Sequence, residues 1–203
     1  MENPTTEFCG IYLDFRGADL SGAELWDAWL NNANLNSVIL RDAQLGNARL
    51  SDSDLVQADL TEAALGKVCL DRANLTEACL EDAHLVRATA FGTNFTRAKL
   101  NRADLRAADF SDANFSGADL SEVDANHAHF SRAVFVEANV SDMTGTIWGP
   151  VIVLKDDKPT ALDGVALQTW FDNHNAKVQV ISKSASESYP NLPAEYSLGS
   201  ASN

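Results

Sequence analysis

From Phe15 to Val140 an apolar side chain recurs at every fifth position. Leu fills 17 of those 26 positions, Phe six (Phe15, Phe95, Phe110, Phe115, Phe130, Phe135), Ala two (Ala90, Ala125) and Val one. Two residues earlier in each unit, Ala holds 20 of 26 positions; the exceptions are Leu13, Val38, Ser53, Val68, Thr93 and Val123. The phase never slips. A helix gives this pattern no buried face, because five residues advance about 500° and successive Leu stand about 140° apart. A straight strand fails too, since an odd interval sends successive Leu to opposite faces. A chain that turns once per unit satisfies the pattern. The central residue, i, and residue i−2 then point inward, while i−1, i+1 and i+2 face water as Asp, Asn, Ser, Thr, Glu, Arg and Gly. Each coil buries its Leu only against the coils above and below, which is the logic of a solenoid.

The tandem Ala-(Asp/Asn)-(Leu/Phe)-x-x, as in ADLTE, ANLTE and ADFSDANFSGADLSE, resembles the pentapeptide-repeat family over residues 13 to 142. The resemblance implies an all-β solenoid, a right-handed quadrilateral β-helix with four units, hence 20 residues, per coil. It would hold about 6.5 coils and run on the order of 30 Å at the spacing of adjacent strands. No six-residue phase exists, which excludes hexapeptide-repeat acyltransferases.

The ends of such a rod need covers. Residues 1 to 12 are expected to form an N-terminal cap, with Phe8, Ile11 and Tyr12 closing the first coil. After SDMTGTIWG the interval is lost, and residues 143 to 183 read as a small α/β capping module. VIVLK (151–155) predicts a strand, DDKP a turn and KVQVIS a second strand. Between them TALDGVALQTWFDNHN predicts a helix with Leu162, Val165, Ala166, Trp170 and Phe171 on one stripe and Thr160 or Asp163 as N-cap. Residues 184 to 203 are expected to be a flexible tail. The resemblance adds a homodimer contact to the cap reading, with Trp148, Leu162, Val165, Trp170 and Phe171 as the contacts for either.

Charge narrows the function. A net charge of −14 argues against direct nucleic-acid binding. No secretory leader or membrane-length apolar run is present, so a cytoplasmic location with no membrane contact is expected. With four units per coil, residues 20 apart stack. The side centred on Leu20 then collects nine acids, Asp19, Asp42, Asp59, Glu62, Glu81, Asp82, Asp119, Glu122 and Asp142, against Arg41, Lys99 and Arg102. Two readings stand for this side. One is a solvated, solubilising face. The other follows from the resemblance: an acidic rod that mimics duplex DNA and occupies the DNA saddle of gyrase or topoisomerase IV. Quinolone-protection members of the family often carry projecting loops, for which this chain offers no phase break.

A second candidate contact is aromatic. Trp26 lies over Gly46 and Gly66 in its column, and Trp29 above Arg49, a cation–π pair. This corner either anchors a partner or packs on its own coil. The i−1 column of Asp14, Asn34, Asp54, Asn74, Asn94, Asn114 and Val134 predicts local hydrogen bonding to turn backbone. Ala90 followed by Phe91 predicts local repacking, with Phe91 filling the deficit. Cys69 and Cys79 fall on opposite sides and are expected to be reduced. His84, His127, His129 and His174 are scattered with no third metal ligand, and no catalytic constellation, phosphate loop or cofactor motif occurs. No exposed Thr column extends beyond Thr76 and Thr96, which excludes ice binding. The expectation is a non-catalytic protein–protein interaction rod without metal or cofactor; the alternative is the topoisomerase-binding DNA mimic, giving inhibition or protection.

Overall fold

The computed structural model describes residues 8 to 181; the first seven residues of the expected N-terminal cap, residues 182 and 183 of the expected C-terminal module and the expected tail lie outside them. Parallel bridges join residue i−1 of each unit to the residue 20 further on, from Cys9–Trp29 through Asp124–Thr144. One coil is therefore four units. Each corner is closed by an N–H donated from i+3 to the carbonyl of i, as from Ala23 to Leu20 at 3.1 Å. Neighbouring coils are tied by bonds such as Leu20 N–H to the Ile39 carbonyl at 2.7 Å and Gly22 N–H to the Arg41 carbonyl at 2.7 Å.

The corner dictates what may follow the Leu. Residue i+2 sits in the left-handed region throughout, with φ near +57° at Asn32 and Asp82 and +64° at Gly17. Gly, Asn and Asp adopt this region at least cost, which accounts for their frequency there. Lys67, Arg72, Glu77 and Arg87 adopt it as well, held by the ladder on either side.

The interior is a stack of Ala and Leu that gives way to Phe in the later coils. Phe95 and Phe115 lie parallel with centroids 4.9 Å apart, and Phe110 and Phe130 stack at 5.4 Å. Ser53 and Thr93, which stand where Ala is usual, are buried but satisfied. Their hydroxyls donate to the carbonyls of Leu50 at 2.6 Å and Leu70 at 2.7 Å. The deficit at Ala90 is not filled by Phe91, which is 46% exposed at its corner. No bulge forms; the small residue instead stands where the Phe run begins, with Phe95 and Phe110 packed edge to face at 5.9 Å. At the other end Phe8 meets Phe15 at 5.9 Å, whereas Tyr12, held at the outward i+2 position, is 76% exposed and covers nothing.

Beyond Val140 the chain changes grammar. The order is β1 (Ala128–His129), β2 (Ala133–Val134), β3 (Thr144–Trp148), β4 (Val151–Lys155), β5 (Lys158–Leu162), α1 (Gly164–Asn173) and β6 (Lys177–Ile181). β3 continues one side of the ladder on β1 and carries β6 in parallel on its far edge. β4 continues the next side on β2 and pairs antiparallel with β5. The expected strands at 151–155 and 177–181 are present; β3 and β5 are additions. Asp163 caps α1 by accepting from the Gly164 N–H at 2.7 Å. Leu162 therefore belongs to β5, and the stripe counted from it misses the buried face. That face is Leu167 and Phe171, with Trp170 half-buried beside them, whereas Ala166 is exposed and Val165 is 85% exposed and takes no part in the packing. Phe171 meets Phe135 edge-on at 6.2 Å, which lays α1 against the last coil.

Candidate functional site

The acidic Leu20 side is less bare than its composition suggests. Asp19, Asp59 and Asp119 occupy i−1 and turn inward along the chain to accept the backbone N–H of Ser21, Thr61 and Ser121 at 3.0, 3.2 and 3.0 Å. The same bond recurs in the Asn column, at Asn74, Asn94 and Asn114. These carboxylates therefore build corners. Burial pushes the Asp59 carboxyl up, but bonds from Thr61 and Arg41 outweigh it and leave it below its usual value. Arg102 bridges Glu81 and Asp82, donating to Asp82 at 2.9 and 2.8 Å. Its hydrogen bonds hold both carboxyls below the ordinary carboxylate range and raise the guanidinium in turn. Lys177, from β6, meets Asp142 at 3.0 Å. Among the described residues, Asp42, Glu62 and Glu122 carry no ion pair, so the stripe is broken into two unneutralised patches on either side of Arg102.

The aromatic corner is built as its column requires. Trp26, at i+1, is 52% exposed with its indole on Gly46. Trp29, at i−1, is bridged by backbone to Cys9 and Arg49, and the Arg49 guanidinium lies 4.5 Å from its ring. Below Trp26 the corner opens into a groove of about 520 Å³ lined by Trp26, Gly66, Lys67, Val86, Arg87 and Arg106, together with Asn47 and Ala107. The sequence placed Trp26 over Gly46 and Gly66 but did not reveal the groove or the place of Lys67, Arg87 and Arg106 along it. The available signal was that Gly46 and Gly66 stand at i+1, where the backbone does not ask for glycine.

In the C-terminal module Trp148 stacks on His129 at 5.6 Å, and Trp170 packs between Phe171 at 5.0 Å and His174 at 4.2 Å. Leu162 is buried and Leu154 is exposed at a recess of about 350 Å³, while Val165 is exposed on α1. Cys9, Cys69 and Cys79 are free thiols. Among the described residues no group of His, Cys, Asp or Glu is placed to hold a metal ion, and no helix is long and apolar enough to cross a membrane.

Comparison with known proteins agrees with the ladder. The family model for pentapeptide repeats matches residues 11–36, 39–76, 69–106, 91–124 and 108–144, with eight copies. Among solved structures, the chain is similar to HetL, a pentapeptide repeat protein involved in heterocyst differentiation regulation from the cyanobacterium Nostoc sp. strain PCC 7120. The two are 30% identical with a TM-score of 0.69, over 70% of this chain and 62% of HetL, so this chain spans less than two thirds of that relative. A structure of QnrB1, a plasmid-mediated fluoroquinolone resistance protein, is 18% identical with a TM-score of 0.47 over 68% of this chain and 80% of its own. A pentapeptide repeat protein from the Arabidopsis thaliana thylakoid lumen is 25% identical with a TM-score of 0.36, over 67% of this chain and 79% of its own. No curated protein matches the chain in a sequence search.

Proposed function

The chain belongs to the pentapeptide repeat family, and from that premise we propose that it is a non-catalytic protein-interaction rod, a right-handed quadrilateral β-helix of about 6.5 coils capped by its C-terminal module. One observation carries the reading. From Leu25 to Val140 every inward position is filled by an apolar side chain or by the hydroxyls of Ser53 and Thr93, so only the outer surface has chemistry to offer. HetL, described as involved in heterocyst differentiation regulation, is compatible with a role exercised through partners. The test is affinity capture by the immobilised full-length chain beside two surface variants, Asp42→Lys with Glu62→Lys and Lys67→Glu with Arg87→Glu. A protein retained by the parent and lost from one variant of unchanged melting temperature supports the role. Retention of no protein beyond what the bare matrix holds overturns it.

A second reading keeps one observation in its favour: Asp42 and Glu62 stack on adjacent coils without a cation between them. Such a pair presents charge along the rod axis as a phosphate backbone does, which suits a DNA mimic on a type II topoisomerase. Gyrase supercoiling with and without a fluoroquinolone, at two salt concentrations, tests it. Salt-sensitive inhibition or rescue supports mimicry, since screening weakens charge-driven docking. The C-terminal module as a homodimer contact, with Val165 exposed on α1, is tested by sedimentation of Val165→Glu.

A further inference from the structure

From Gly17 to Gly117 the glycines of this rod divide by position, and two of them are unexplained by the backbone. Gly17, Gly22, Gly92 and Gly117 sit at i+2, where φ is +63 to +66°. Gly46 and Gly66 sit at i+1 and lie outside the left-handed region. Gly46 has a neighbour that needs it, because the Trp26 indole occupies the place of its Cβ. Gly66 has none: a Cβ there would meet only the Val86 carbonyl oxygen, at 3.9 Å. It forms the floor of the 520 Å³ groove.

The walls of that groove are charged against the trend of the molecule. In a chain of net charge −14, Lys67 and Arg87 stack on successive coils at i+2, exposed, with no ion pair among the described residues. Arg106 at the lower end is engaged by Asp104 at 2.6 Å. Most arginines on this surface are similarly committed, as Arg72 is to Asp52 and Arg132 to Asp112. The groove therefore offers a half-exposed indole at one end, an open floor and two uncommitted cations along one wall.

We infer that the Trp26–Gly66–Arg87 groove binds an extended acidic peptide segment of a partner protein, with an aromatic or aliphatic side chain against Trp26 and carboxylates on Lys67 and Arg87. This deepens the protein-interaction reading and rests on it. From Trp26 to Arg106 is four coil spacings, roughly 19 Å, which an extended chain at about 3.3 Å per residue spans in about six residues. Carboxylates on alternate residues of that chain lie roughly 7 Å apart, within reach of two long, flexible cationic stems one coil apart. Charge-assisted bonds to uncommitted cations supply orientation, and the indole supplies apolar area at low entropic cost. A nucleic acid is the poorer fit, because its binding rests on many phosphate contacts and this groove offers only two uncommitted cations among the described residues.

The test is fluorescence anisotropy of a labelled peptide FDEDED titrated with the full-length chain, alongside the uncharged FNQNQN and a single-stranded oligonucleotide of six bases. Saturable binding of FDEDED alone is expected. It should weaken about tenfold with Lys67→Ala plus Arg87→Ala, and about tenfold with Gly66→Leu, which fills the floor without a backbone penalty and should melt at the parent temperature. Trp26 emission, isolated by difference against Trp26→Phe, should change with FDEDED. Equal binding of the two peptides, no saturation, affinity unchanged in both variants, or tighter binding of the oligonucleotide each overturns the inference. A partner captured by the parent and by the Lys67→Glu/Arg87→Glu chain, but lost from the acidic-side variant, preserves the interaction role while overturning the groove.

Discussion

The indole of Trp26 takes the place of the side chain that Gly46 lacks: a Cβ at position 46 would stand 2.0 Å from Cζ3 and 2.3 Å from Cε3 of the ring. Gly46→Ala must therefore lift the ring off the coil. Since the backbone at 46 accepts any residue, the cost is the apolar contact alone, about 1 kcal/mol for a ring already half in water. Tryptophan emission should shift to the red relative to the parent, with a fall in melting temperature of a few degrees. An unshifted spectrum would show that the ring does not rest there in solution.

Arg102 sets a pH signature. Its hydrogen bonds lower the folded-state pKa of Glu81 and Asp82, so the stability they contribute is complete above the unfolded carboxylate range, near 4, and is lost as pH falls through the lower folded values. Arg102→Gln removes that contribution and leaves neighbouring carboxylates facing one another. The melting temperature should fall at pH 7, and the gap to the parent should narrow below pH 4 as the acids protonate. A gap that widens on acidification would refute the assignment. The sites are solvent-exposed, so the effect at pH 7 should also shrink in molar salt.

Asn94 tests the ladder of corners. Its Oδ1 accepts the Thr96 N–H at 3.0 Å and hydroxyl at 2.6 Å, and its Nδ2 donates to Thr76 Oγ1 at 3.0 Å one coil above. Asn94→Ala abandons a half-buried backbone N–H and should cost about 1–2 kcal/mol. Asn94→Asp keeps the acceptor and loses the donor, so chemical denaturation should place it between Ala and the parent.

The ladder itself was legible because one residue class repeats in one phase: Leu and Ala inside, left-handed-tolerant residues at i+2. The Asn column was legible for the same reason. What composition could not convey is pairing. Nine acids on one side read as a stripe, yet Asp19, Asp59 and Asp119 are corner acceptors, and Arg102 is drawn onto Glu81 and Asp82. A charge count treats all of these as free. The C-terminal helix was legible as an element but not in phase, because Leu162 closes a strand and only the Asp163 cap fixes where the helical period starts. Phe91 misled for a related reason: a large apolar residue beside a small inward one is no substitute for it when the corner points it at water.

The junction between the rod and its C-terminal module should fail locally. Gly149 has φ +143°, and a Cβ there would lie 2.8 Å from both the Phe130 carbonyl carbon and the Ser131 nitrogen, which are main chain and cannot yield. Gly149→Ala combines that clash with a backbone state closed to other residues, a cost on the order of 3 kcal/mol. Gly17→Ala is the control, since φ there is +64°, as at many non-glycine corners, and nothing lies within 4 Å. In a solenoid each coil is coupled only to its neighbours, so damage at one end need not reach the middle. Hydrogen exchange of Gly149→Ala should therefore show lost protection in β3, β4 and β6, with amides between residues 40 and 110 protected as in the parent. Uniform loss along the rod would mean that the C-terminal module and the coils unfold as one cooperative unit.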